Sequence, residues 1–168
     1  TKHNHTQTLA QAIASGAEKT GAIARVQRCN ETNFTADALE WADAIIIGAP
    51  THYGNPASQM LAWIEADWIH SFTDPRLAQK LGGVFTTAGG LAQGMEHTLT
   101  SLIRMLESFR IRVITPDPTT GFDSSYGAIA VTGTPPFNVS GPPSWSQIHP
   151  DFMEPAAAFG SKLASLVA

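Results

Sequence analysis

Charge is scarce in this chain. Only 14% of its 168 residues are Asp, Glu, Lys or Arg, and the formal net charge is −4. No basic excess exists to gather phosphates, so neither nucleic acid nor an acidic membrane surface is an expected partner. A single cysteine, Cys29, excludes an internal disulfide framework and fits a reducing compartment. No apolar run approaches the length that spans a bilayer and no signal peptide opens the sequence, so a soluble cytoplasmic domain is expected. His3, His5, His52 and His97 have no cysteine or carboxylate at metal-ligand spacing, so no metal site is expected. Neither a Ser-His-Asp set nor a paired-carboxylate signature is present.

What the chain does have is apolar matter. Hydrophobic residues make up 43%, enough for one domain over residues 1–168 with a substantial core. Leu9, Ala10, Ile13 and Ala17 recur at three and four, which predicts a helix from Thr6 to about Gly21. Residues 22–28 alternate, with Ile23 and either Ala24 or Val26 apolar, as an exposed edge strand would. Thr35 or Asp37 can cap a short helix through Trp41. Ala44-Ile45-Ile46-Ile47-Gly48 reads as a strand buried on both faces of a parallel sheet. It runs into the loop Ala49-Pro50-Thr51-His52-Tyr53-Gly54-Asn55, and a helix follows from about Ser58.

A linker starts at Asp74-Pro75. Strand 82–87 leads into the glycine-rich 88–94, and a helix with Leu99, Leu102, Ile103, Leu106 and Phe109 on one stripe comes next. Strands at 112–115 and 128–131 and a last helix over about 150–167 complete the pattern. Strands alternating with helices imply a doubly wound, mostly parallel sheet with helices on both faces. The segment 116–143 is too long for an ordinary connection and is expected to be functional or an oligomer contact. Because Thr1 begins a loop that leads straight into a helix, a strand upstream of the given residues is also expected.

The string Pro50-Thr51-His52-Tyr53-Gly54-Asn55 resembles the Pro-Thr-x-aromatic-Gly-Asn loop of WrbA-type NAD(P)H:quinone oxidoreductases, members of the flavodoxin-like family. Phe85-Thr86-Thr87-Ala88-Gly89-Gly90, with Glu96-His97-Thr98 after it, is similar to that family's third loop and helix start. Tyr126-Gly127-Ala128 is similar to its late re-entry into the sheet. The family's His-His-Gly at the end of the fourth helix is replaced here by Ser108-Phe109-Arg110.

The resemblance implies a five-stranded flavodoxin-like sheet holding flavin mononucleotide (FMN) between three loops. Thr1, His3, Asn4, His5 and Thr6 would receive the phosphate, where hydroxyls, backbone N–H groups and a helix N-terminus converge. Asn4 stands where the family has glycine, and asparagine tolerates left-handed backbone angles best after glycine. Pro50, Thr51, His52, Tyr53, Gly54 and Asn55 would lie against the flavin ring. Thr86, Thr87, Ala88, Gly89 and Gly90 would meet its polar edge.

The function implied is two-electron reduction of quinones by NAD(P)H. The flavin carries the chemistry, and His52 is the one candidate to act on substrate. A one-electron flavodoxin carrier and an FMN-binding regulatory protein without turnover are the alternatives. The scarcity of acidic residues speaks against the carrier, which docks through acidic surface. A homo-oligomer, tetramer or dimer, is implied as well. Trp63, Trp68, Ile69 and Phe72, with Trp145 and Pro135-Pro136-Phe137, offer more apolar area than one domain readily buries.

Overall fold

Two neighbouring strands carry the architecture. In the computed structural model, which describes residues 4–29, 36–118, 124–133, 135, 137 and 147–167, β1 (Ala44–His52) and β3 (Leu81–Ala88) run parallel. Their register extends from Ala44↔Leu81 to Pro50↔Thr87. All eight residues of β3 are buried. It takes β1 on one edge, leaving the other for β4 (Arg112–Val113), opposite Leu81 and Gly82, and then β5 (Ala128–Val131), opposite residues 85–88. β4 and β5 therefore act as two pieces of one interrupted strand. The fifth strand, β2 (Asn55–Pro56), folds back antiparallel on the end of β1.

Glycines in β3 show which helix covers which face, because successive side chains in a strand point to opposite sides. A Cβ on Gly82 would meet Leu106 of α4 (Met95–Ser108), whereas one on Gly83 would meet Leu163 and Phe159 of α5 (Met153–Val167). α4 thus lies on the even-numbered face of β3 and α5 on the odd-numbered face. α1 (His5–Glu18) packs beside α5, so closely that a Cβ on Gly16 would stand 1.8 Å from the Ala157 carbonyl oxygen. A Cβ on Gly160 would stand 1.9 Å from that of Ile13. The core fills both faces, with Leu9, Ile13, Phe159 and Leu163 on one and Leu99, Leu102 and Leu106 on the other. No helix among the described residues is long and apolar enough to cross a membrane.

Helix and strand positions follow the periodicities, with instructive departures. The strand expected over 44–48 continues to His52, so Pro50 and Thr51 are ladder residues rather than loop. The edge strand expected at 22–28 is irregular, with Ile23 exposed. Alternation sets which side chains can face a core, but a strand also needs a ladder partner, and none is present for these residues among those described. The expected five-stranded, mostly parallel sheet is present, its antiparallel member being β2, the arm of a hairpin.

Two aromatics expected to lie on the surface are in fact buried. After α3 (Ser58–Trp63) the helix widens to a π-turn over Ile64–Trp68. Trp68 is 1% exposed, edge-on to Trp63 and to Phe109. Phe137 is likewise buried, packed on Phe152 with ring centroids 5.7 Å apart. Trp145 and Pro136 lie outside the described residues. The apolar surface that remains on the 58–72 segment is Leu61, Ile69 and Phe72.

The Ser108-Phe109-Arg110 replacement lies at the end of α4. Phe109 is a core residue, and Arg110 follows it at φ 65°. A left-handed position just past a helix favours glycine, which carries no Cβ penalty. Arg110→Gly is expected to stabilise the fold by about 0.5–1 kcal/mol, raising the melting temperature by roughly 2–3 °C in a thermal scan.

Candidate functional site

The strands β1, β3 and β5 point their carboxyl ends at one rim of the sheet, where crevices in open α/β folds take ligands. Three segments converge there: the turn into α1, the β1–β2 hairpin and the end of β3. The turn into α1 is made by Asn4, which adopts φ 58° and ψ 11°. This left-handed step lets the chain enter the helix at once, with Thr8 N–H bonded to the Asn4 carbonyl at 2.9 Å. The first turn of a helix carries amides with no intrahelical partner. Arg28 donates to the Asn4 side-chain oxygen at 3.2 Å and also to the Gln7 side-chain oxygen. Thr1 and His3 lie outside the described residues, and His5 is half-buried in the first turn of α1.

The second segment is a hairpin rather than an open loop. Thr51 pairs with Pro56 and His52 with Asn55, leaving only Tyr53 and Gly54 to make the turn. Both have positive φ, 52° and 79°. That combination belongs to the type I′ turn, whose twist matches the strands it joins. The tip therefore presents Tyr53 wholly to solvent, and the Cβ direction of Gly54 meets no atom within 4 Å. His52 is exposed, and Asn55 closes the turn by donating its side-chain amide to the Tyr53 carbonyl at 3.0 Å.

Strand alternation divides the third segment between the two faces. Thr86, on the α4 side, is 0% exposed and donates its hydroxyl proton to the Ala49 carbonyl at 2.7 Å. The same hydroxyl lies 3.0 Å from that of Thr51. Thr87, on the α1 side, lies 2.9 Å from the Thr6 hydroxyl. Neighbouring threonines at the end of one strand thus tie the first and second segments to the third. Ala88 ends the strand opposite Val131, with Gly89 half-buried and Gly90 buried after it.

Three residues at this rim were not foreseen as part of the site. Arg28 sits in a segment whose alternation pointed to an edge strand. Gly94, at φ 85°, precedes α4, and a Cβ there would stand 2.6 Å from the Gly54 Cα. Thr98 is 0% exposed and accepts a hydrogen bond from the Thr51 hydroxyl at 2.9 Å. Thr98 belongs to the Glu96-His97-Thr98 string that resembles the family's helix start, but a threonine inside an amphipathic helix does not by itself state such a role. Among the described residues, the rim offers hydroxyls, amides and a turn open to solvent rather than a carboxylate pair or an activated nucleophile. Cys29 lies near by in sequence to Arg28, but burial pushes its thiol up and away from the reactive thiolate.

The sequence profile of a family described as NADPH-dependent FMN reductase matches residues 1–122. A protein of Cupriavidus metallidurans named NAD(P)H dehydrogenase (quinone) is 32% identical over 162 aligned residues, covering 78% of this chain and 79% of the relative. One of the same name from Caulobacter vibrioides is also 32% identical, with the same coverage. Among solved structures, a flavodoxin, WrbA-like protein from Agrobacterium tumefaciens superposes with a TM-score of 0.70 at 24% identity, over 98% of this chain and 90% of that one. An archaeal flavodoxin gives 0.68 at 16% identity, over 98% and 91%. Both structures share the flavodoxin-like fold with this chain.

Proposed function

Since this chain belongs to the NADPH-dependent FMN reductase family, we propose that it binds FMN at the rim of its sheet and uses it to pass two electrons from NAD(P)H to a quinone. One observation carries the reading: threonine hydroxyls tie the three rim segments together, Thr6 to Thr87 and Thr51 to Thr86. The residues present fit such a group. Asn4 supplies the left-handed turn that frees the first amides of α1 for a phosphate, with Thr6 beside them and Thr1, His3 and His5 as further donors. Gly54 opens onto empty space, so a planar ring can approach the backbone of residues 50–55 there. Ala88, Gly89 and Gly90 offer backbone amides to the ring's polar edge.

Bound FMN supplies the hydride acceptor and donor, which no side chain of this site can replace. The protein's share is positioning. Thr86 and Thr87 act as braces, and the hairpin, with His52 and Tyr53, would border the ring. Few side chains need move a proton, in keeping with a rim of hydroxyls and amides. A cytoplasmic location belongs to this reading, supported by the lone Cys29. Closed homo-oligomers, tetramers or dimers, belong to it too, supported by the exposed Leu61, Ile69 and Phe72 on one segment. Sedimentation equilibrium at micromolar protein is expected to give a multiple of the chain mass, and a monomer there would defeat the assembly.

Titration of the full-length protein with FMN tests the core of the proposal. One equivalent is expected to bind with quenching of flavin fluorescence, because aromatic side chains such as Tyr53 lie within reach of the ring. FAD is expected to bind less well, since the first segment is suited to a terminal phosphate. NAD(P)H-dependent reduction of a soluble quinone then separates an enzyme from a carrier. Unchanged FMN fluorescence at micromolar protein would overturn the reading.

A further inference from the structure

We infer that Thr98, buried in α4, is a positioning residue that sets the height of the ring-facing hairpin by holding Thr51. The inference rests on the FMN reading above and deepens it. The hairpin stands on α4 at two points, and both are unusually restrictive. At the first, Gly94 approaches the Gly54 backbone so closely that even a methyl group would not fit. At the second, Thr98 accepts the Thr51 hydroxyl proton at 2.9 Å while itself 0% exposed. A buried polar atom with a defined partner resists displacement, because losing that partner leaves it unsatisfied.

The proton count makes Thr98 more than one bond among several. Each hydroxyl has a single proton to give. Thr86 gives its proton to the Ala49 carbonyl, and Thr51 gives its proton to Thr98. With both committed, the 3.0 Å contact between Thr51 and Thr86 can only share a proton that one of the two already gives elsewhere. Thr98 therefore decides which way the Thr51 hydroxyl points. Without it, Thr51 turns to Thr86 and its anchor moves from the helix to the neighbouring strand. Since Thr51 pairs with Pro56 across the hairpin, both arms follow that choice, and with them the Tyr53-Gly54 tip.

Thr98→Val keeps the volume and removes the acceptor; Thr98→Ser keeps the acceptor. On the full-length protein, Thr98→Val is expected to weaken FMN binding by about fivefold to tenfold, the range of one hydrogen bond. At saturating FMN, the visible absorption bands of the bound flavin are expected to move toward those of free FMN, and its reduction midpoint to shift. Thr98→Ser should stay within about twofold of the parent in affinity with unchanged bands. Thr51→Val, which removes the contact to Thr86 as well, should be at least as weak as Thr98→Val, and the double variant should be no worse than Thr51→Val alone.

Losses that multiply in the double variant would overturn the inference, as would a Thr98→Ser as weak as Thr98→Val. So would a Thr98→Val with parent affinity and spectrum. A merely structural role would lower the melting temperature of the FMN-free protein and leave the spectrum at saturation unmoved. If Thr98→Val does not fold, Thr51→Val reads the same bond from its less buried end, and parent affinity and spectrum there overturn the inference. Failure of the parent protein to bind FMN would instead sink the function on which it rests.

Discussion

Gly54→Val is expected to lower FMN affinity by at least about a hundredfold, close to 3 kcal/mol, while leaving far-ultraviolet circular dichroism unchanged. Two properties of the position combine. Gly54 sits at φ 79° as the second residue of a two-residue turn, a conformation in which a β-branched side chain is strongly disfavoured. Its Cβ direction is also free of protein atoms, so the new methyls would project into the space assigned to the ring. The fold survives for the same reason, since nothing in the core is displaced. Isothermal titration beside a circular dichroism spectrum decides the matter. Parent affinity in a folded variant would show that the hairpin is only a turn.

The second large effect lies far from that rim. Gly160→Val is expected to destabilise the protein by about 3 kcal/mol or more and lower its melting temperature by roughly 10 °C. Its Cβ would enter at 1.9 Å from the Ile13 carbonyl oxygen, which is main chain and cannot swing aside. α1 and α5 must then separate, drawing Leu9 and Ile13 off Phe159 and Leu163. Because α1 carries Asn4 and Thr6 at its start, FMN affinity should fall along with stability. A melting temperature within about 2 °C of the parent would mean that the two helices are not held at this spacing.

Much of this was legible from residue order, and the departures share one cause. Helical stripes such as Leu99, Leu102 and Leu106 were read directly, because an apolar face states which side is buried. Asn4 was foreseen to tolerate a left-handed turn, and it adopts φ 58°. What residue order does not state is the partner. Gly48-Ala49-Pro50 looked like the end of a strand, yet β3 keeps pairing with β1 as far as Pro50. Tyr53-Gly54 lacks the Asn-Gly signature of a tight hairpin and forms one nonetheless, because Thr51 and His52 find Pro56 and Asn55. Residues 22–28 have the alternation of a strand and form none. Thr98 and Gly94 matter only through what stands opposite them, Thr51 and Gly54, more than forty and exactly forty positions earlier in the chain respectively.

The interrupted strand along β3 separates two kinds of tolerance to change in chain length. From Gly82 to Phe85, β3 advances three residues, while its partners advance fifteen, from Val113 to Ala128. The surplus leaves the sheet and returns to the same edge. Lengthening that detour at an exposed position costs mainly loop-closure entropy, about 0.6 kcal/mol per doubling. Adding one residue to β3 between the two pairings would instead turn Thr86 and Thr87 to opposite faces and break both threonine ties at once. Exposed positions of the detour such as Pro118 and Ser125 are therefore where grafted peptides or accessory segments can be spliced in, and residues 83–85 are where no length change can be absorbed.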